Sequence, residues 1–585
     1  MLGLPSSQDL RHLISTQLTG LMRDHPILQS EVILCVAMLI SVICGSAAVL
    51  LHQSIHFVDH TLSLWESGIH GIWYTCIVVV TPAAGGLLAG LLLEYVTPQA
   101  RGSGIPQLKL DLAMRGGVIP FKVALGKLVT TAIAVGSGGS LGPEGPTVQI
   151  SASLGSSISR WLPITTSQLR ILVHAACVSG LAAAFNTPIA GMTFIMEELI
   201  GDLNARHLSY LVLAAIGATT TMRMFLGKEP LFDVPAYAVG HPIELPLYIL
   251  LGVLSGLFAV AFIRLLVWST HRFQNLSIPP FLKPALGGLL VGFMALQLPQ
   301  VLGVGYGTMT DAMQNRLPFL LMFALTIGKF LSTILSYSSG TPGGLFAPTL
   351  FIGAMLGGTL ATGVNAFTPL SIVSPGAFAM VGMGAVFVGV CRAPITSILI
   401  IFEMTNDYAL ILPVMLANMT SYSIARALER HNVYEAILAA NNVHLPSAQD
   451  HVLLEELTAS DAMERQPLTV RPETPVADVA ALLAQSESHG VPVVTPDQRL
   501  LGVVTLTDVR QVMRQEQHDK PVESIASTRH LISVHPDHTL NWVMQQMGAY
   551  EVSLLPVITR GEAGQLVGVL TMTDIVRAYA QKKME

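Results

Sequence analysis

GSGGSLGPEGPT at residues 136–147 and SSGTPGGLFAPT at residues 338–349 decide the fold, because each sets glycine and proline inside apolar sequence where a membrane helix has to break. A third cluster, GSGIP at 102–106, does the same. Broken backbone at bilayer depth is tolerated only where it is packed in protein or lines a wet cavity. Paired interrupted segments of this kind are how transporters build a substrate site near the midplane.

The pairing extends outward from those clusters. EGPT at 144–147 aligns with FAPT at 346–349, an offset of 202, and each opens an apolar segment. AFNTPIAGMTFIMEE (184–198) resembles GVCRAPITSILIIFEM (389–404), with Pro188 nine positions before Glu197 and Pro394 nine before Glu403. The membrane part therefore reads as a duplication, roughly 29–226 and 246–427 followed by a C-terminal helix to 440. Residues 1–28 lack the apolar core and small-residue site of a cleaved signal peptide and are expected to stay as a cytoplasmic amphipathic segment.

Composition supports two solvents for one chain. Only 12% of the 585 residues are charged, yet 29 of those 68 charges fall in the last 140 positions. The net charge of −6 argues against a nucleic-acid partner, which would need Lys and Arg gathered on one face. The five cysteines have no close pair, so neither a CxxC metal site nor a disulfide framework is suggested. After a linker at 441–457, PLTVRPETPVADVAALLAQSESHGVPVVTPDQRLLGVVTLTDV (467–509) recurs at 530–575, giving two soluble α/β units at 458–516 and 520–581.

Several residues in the membrane part are candidates for chemistry. Glu144 lies between Gly-Pro pairs, where a carboxylate is costly and functional by default. The unpaired N–H groups of the helix start it opens would bind an anion, and an ionised Glu144 could take that place itself. It could equally be a plain helix cap. Ser103 offers a hydroxyl on a glycine bend, and a site made of donors without Lys or Arg suits a weakly held monovalent anion. Leu345 and Phe346 bring a second set of backbone donors through the repeat, although the Phe could be packing. Glu197 and Glu198 suggest a proton relay or, alternatively, a helix end; Glu403 reads as a helix-end residue. VGYG at 304–307 looks like a potassium filter but occurs once and lacks the preceding Thr, so it is set aside. GSGGSLG is no P-loop, and no hydrolytic motif is present.

With GSGIP, GPEGP, GGLFAP, FEMTNDYALILP (402–413) and HNVYEAIL (431–438) in order, the chain resembles the CLC chloride channel and chloride/proton antiporter family, bacterial type. The resemblance implies an all-α polytopic fold of two inverted repeats with broken helices, assembled as a homodimer with one anion pathway per subunit. It implies that Ser103 and Tyr434 coordinate chloride by hydroxyls, Leu345 and Phe346 by backbone N–H, and that Glu144 is the gating glutamate. Glu198 falls on the internal proton-transfer glutamate of the antiporter branch. Pro143 stands where many relatives carry Arg or Lys, and Gln107 where they often carry Glu. Ser103 speaks for chloride over nitrate and fluoride. The C-terminal units resemble a CBS pair, for which Thr505 with Asp508 and Thr571 with Asp574 would contact ATP, ADP or AMP; the same residues also make good helix caps.

The expected function is chloride/proton exchange at a bacterial inner membrane, with both termini and the CBS pair in the cytoplasm and no required cofactor, metal or enzymatic step. The alternatives are a passive chloride channel and, ranked lower, a CBS-containing divalent-cation transporter, which would need a cluster of carboxylates.

Overall fold

The computed structural model describes residues 26–67, 69–201, 208–227, 231, 232, 235, 237, 244–367, 373–405, 409–441, 453–485, 490–513, 519–527, 531–550, 552–560 and 564–584. The expected N-terminal segment up to residue 25, most of the linker, and Asn406 and Asp407 lie outside these. The chain divides into two units, Met1–Leu445 and Pro446–Glu585.

The first unit is all helical among the described residues. Its first half runs α1 (Pro26–Ser67), α2 (Ile72–Tyr95), α3 (Ile105–Met114), α4 (Phe121–Gly136), α5 (Glu144–Ser159), α6 (Thr166–Phe185), α7 (Pro188–Phe194) and α8 (Leu208–Leu226). The second runs α9 (Glu244–Gln274), α10 (Lys283–Ala295), α11 (Tyr306–Met313), α12 (Phe319–Ser338), α13 (Phe346–Phe367), α14 (Pro375–Cys391), α15 (Pro394–Thr405) and α16 (Ile411–Leu428). Each helix of the first half has its counterpart eight places later, and α17 (Val433–Ala440) closes the unit. Seven of the described helices are long and apolar enough to cross a membrane. Phe57, Trp65, Trp73, Leu320 and Leu412 are all more than 60% exposed, a surface that suits lipid rather than water.

The halves are interlocked by equivalents. Where α2 crosses α10, a Cβ on Gly86 would stand 2.4 Å from the Pro284 carbonyl oxygen, and one on Gly288 would stand 2.2 Å from that of Pro82. Backbones this close require glycine on both sides, the small-residue contact that lets membrane helices pack without a hydrophobic driving force. Such reciprocity between equivalent positions is what a two-fold rotation relating the halves produces.

The second unit is two copies of a small α/β motif. In the first, α18 (Ala459–Ala462) and α19 (Val476–Gln485) lead to an antiparallel hairpin of β1 (Gly490–Val494) and β2 (Leu500–Thr505), then α20 (Leu506–Met513). In the second, α21 (Leu540–Ala549) leads to β3 (Leu554–Ile558) and β4 (Leu566–Thr571), then α22 (Met572–Met584). Each hairpin carries a bulge at the same place, Val493/Val494 and Val557/Ile558. Each also takes a parallel bridge from upstream, Val470 to Val493 and Val534 to Val557, so Val470, Val493, Val534 and Val557 all lie in buried cores.

Candidate functional site

The starts of α5 and α13 meet at the centre of the first unit. Gly142 donates its N–H to the Gly344 carbonyl at 2.8 Å and Gly344 returns the bond to Gly142 at 2.6 Å, an antiparallel bridge between repeat equivalents. The two donor-rich helix ends are thereby held side by side, a ready anion site. Glu144, the first residue of α5, is fully buried there. Its Oε1 accepts a 2.7 Å bond from the Tyr306 hydroxyl; Oε2 makes no hydrogen bond of good geometry among the described residues, with the backbone N–H groups of Glu144 and Ala347 near the carboxyl. A Cβ on Gly142 would sit 2.1 Å from Oε2, so glycine makes the room the carboxylate occupies. Glu144 is thus no helix cap at the membrane surface.

Ser103 is buried on the bend before α3, and its carbonyl oxygen packs within 2.6 Å of where a Cβ on Gly145 would be. Its hydroxyl lies 3.5 Å from that of Tyr337, which is also buried. Tyr434 is fully buried on α17 and accepts a 3.8 Å bond from the Cys391 thiol. Leu345 and Phe346 are buried, and the Phe346 ring sits among Phe185, Phe194 and Phe387 at centroid distances of 4.8, 5.2 and 4.3 Å. Phe346 therefore packs as a side chain while its backbone opens α13.

One expectation needs correction. The site was expected to lack Lys and Arg, yet Lys127 and Lys329 are both fully buried beside it. Lys127 donates to the Ala100 carbonyl at 2.8 Å and to that of Gly102, and Lys329 to Val301 at 3.0 Å and Gly303 at 2.6 Å. Each ammonium ties down one loop, and the two loops, PQARGSGIP (98–106) and PQVLGVGYG (299–307), are repeat equivalents. VGYG is accordingly the second-half image of GSGIP, and its Tyr306 is a site residue. Shifting GSGIP by the offset already visible in EGPT and FAPT, less one, would have found it.

Glu198 lies in a π-helical turn (Ile195–Ile200) continuing α7 and is buried. Lys109 Nζ stands 2.5 Å from its Oε1, and Asn432 Nδ2 donates to Oε1 at 3.1 Å and Oε2 at 3.0 Å. Neither partner stood out in the sequence, although Asn432 and Glu435 spell a capping box ahead of α17. Glu197 takes a different part. It accepts from the N–H groups of Ile395 (3.0 Å) and Thr396 (2.9 Å) at the start of α15, while Glu403 accepts from Ile189 (3.0 Å) and Ala190 (2.7 Å) at the start of α7. Each half caps the other's helix, and Glu403 is structural. Among the described residues no group of three His, Cys, Asp or Glu is placed to hold a metal ion.

In the second unit, Thr505 Oγ1 and N–H both donate to Asp508 Oδ2, at 2.7 and 2.9 Å, and Thr571 does the same to Asp574 at 2.5 and 3.0 Å. All four residues are half-buried at the starts of α20 and α22, where they serve as helix caps.

Two repeated halves whose broken helices aim backbone donors and hydroxyls at a buried carboxylate define a membrane protein of the anion-transport class. The family model described as voltage gated chloride channel matches residues 85–426, and the chain belongs to that family. The CBS domain model matches 459–515 and 522–581. Chloride channel protein CLC-f of Arabidopsis thaliana is 28% identical, over 84% of this chain and 71% of its own. H(+)/Cl(-) exchange transporter ClcA of Vibrio campbellii is 30% identical, over 69% and 89%. The X-ray structure of a slow cyanobacterial Cl-/H+ antiporter superposes with a TM-score of 0.64 at 27% identity, covering 70% of this chain and 97% of that one.

Proposed function

We propose that this protein exchanges chloride for protons across a membrane. The observation that carries the proposal is the pair of buried carboxylates in different settings. Glu144 sits against the paired helix starts with one oxygen outside any hydrogen bond of good geometry, and Glu198 sits against Lys109 and Asn432. From Glu144 the packing passes through Gly145 to Ser103, whose hydroxyl lies 3.5 Å from that of Tyr337. In this mechanism chloride is held by the hydroxyls of Ser103 and Tyr434 and the N–H groups of Leu345 and Phe346. Ionised Glu144 competes with the anion for the helix starts, and a proton arriving there releases it. Lys127 and Lys329 supply the positive potential that a donor-only site would lack. Glu198 passes protons on the other side, and no covalent chemistry is involved.

A homodimer with one pathway per subunit accords with the family. So does a bacterial inner-membrane location with both termini and the CBS pair in the cytoplasm, the compartment where ATP, ADP and AMP could reach Thr505, Asp508, Thr571 and Asp574. Bromide and nitrate should pass, as well as chloride.

Proton uptake into liposomes with an outward chloride gradient and clamped potential tests the exchange. Wild-type protein should move protons uphill on the chloride gradient alone, and Glu144→Gln should keep chloride flux while losing proton movement. Chloride flux without protons in the wild type would make the protein a passive channel. Proton pumping that survived Glu144→Gln would overturn the mechanism.

A further inference from the structure

Glu198 is tied to both elements that carry the anion-facing hydroxyls. Lys109, one turn into α3, follows Ser103 by six positions, and its side chain is 13% exposed against 4% for Glu198. Asn432 precedes Tyr434 by two positions and is the N-cap of α17: its Oδ1 accepts the Glu435 N–H at 2.8 Å while its Nδ2 holds both oxygens of Glu198. The groups facing Glu198 are therefore Lys109 from α3, Asn432, Tyr434 and Glu435 from around α17, and Cys391 from the end of α14. Lys109 is the one cation among them.

We infer that Lys109 is a positioning residue that couples proton loading at Glu198 to the anion site, by making each incoming proton break an ion pair that clamps α3 to the π-helical turn. The inference rests on the exchange reading. While Glu198 is ionised, the ammonium and the Asn432 amide hold α3 and α17 against one carboxylate, fixing the Ser103 and Tyr434 hydroxyls. A proton on Glu198 cancels the charge that holds Lys109, whose partial exposure lets the ammonium turn to water. The start of α3 is then free to move on the same step that loads the proton, while Lys127 keeps its hold on the Ala100 and Gly102 carbonyls of the bend before it. Each loading step therefore has to displace the Lys109 ammonium, so its cost depends on that charge.

The test uses full-length protein in liposomes, with chloride-driven proton uptake and chloride efflux measured across a series of symmetric pH values. Lys109→Met keeps the stem and removes the charge, so the pH of half-maximal coupled exchange should rise by about one unit, ~10-fold in proton activity. Lys109→Arg keeps the charge and should stay at the wild-type midpoint. Lys109→Gln serves as the uncharged variant if the Met protein does not fold. An unshifted midpoint in a folded uncharged variant, with or without a lower rate, would overturn the inference and leave Lys109 a packing residue. Chloride movement without protons in the wild type would instead remove the exchange reading itself, a separately visible result.

Discussion

Tyr306 is the residue whose role the structure adds to the gate. Its ring is held by Phe232 at 6.0 Å, and its loop is tied by Lys329, so the hydroxyl arrives at Glu144 with little freedom to leave. A hydrogen bond to a charged group is worth roughly 1.5–3 kcal/mol. Tyr306→Phe removes only that oxygen, so Glu144 should leave the helix starts more readily and chloride efflux at neutral pH should rise about 10-fold for each 1.4 kcal/mol lost. The same substitution on a Glu144→Gln background should add far less, and equal effects in both backgrounds would make Tyr306 a pore wall and not a latch. Glu144 and Ser103 were visible in the sequence because a carboxylate and a hydroxyl stand among glycines and prolines in apolar sequence, although a plain helix cap and an ordinary turn read the same way locally. Tyr306 was not, because its meaning lies in a contact spanning 162 positions, and locally VGYG looks like something else. Lys109 and Asn432 were hidden for the same reason.

At the scale of elements, the nine-residue spacing from Pro188 to Glu197 and from Pro394 to Glu403 marked the duplication, but its purpose is a swap. Each proline starts a helix whose first N–H groups need an acceptor, and the acidic residue ending the equivalent helix of the other half provides it. The adjacent Glu198 faces another way, so one member of the pair is a cap and its neighbour a candidate proton carrier. Sequence shows two acids in a row; only the π-helical turn assigns them. Glu197→Gln and Glu403→Gln should each cost about 1–3 kcal/mol in thermal unfolding of the purified protein in detergent, since each leaves a charged bidentate cap weakened. The chloride-to-proton ratio should hold in both. A changed ratio in Glu197→Gln without a fall in unfolding temperature would mean the proton path uses Glu197 after all.

At the scale of the whole chain, both units close the same way, by bringing repeat equivalents together across a two-fold. Gly142 meets Gly344 in the first; in the second, Leu500 donates to the Gly564 carbonyl and Leu566 to that of Gln498, with Arg499 opposite Gln565. The sequence showed each duplication through its offset, but an offset says nothing of which equivalents touch. A cleft between duplicated halves is where a shared ligand would sit, and this separates two roles for Asp508 and Asp574. If ATP, ADP or AMP binds the CBS pair, adding it to full-length protein at ~100-fold over its dissociation constant should stabilise the binding unit by about 2.7 kcal/mol. Asp508→Ala and Asp574→Ala should lower the unfolding temperature without nucleotide, because each loses a cap worth roughly 1 kcal/mol. They should also abolish the nucleotide-dependent rise if the carboxylates touch ribose. A drop without nucleotide, combined with no rise in the wild type for any of the three, would leave both residues as caps alone and remove nucleotide from the account of regulation.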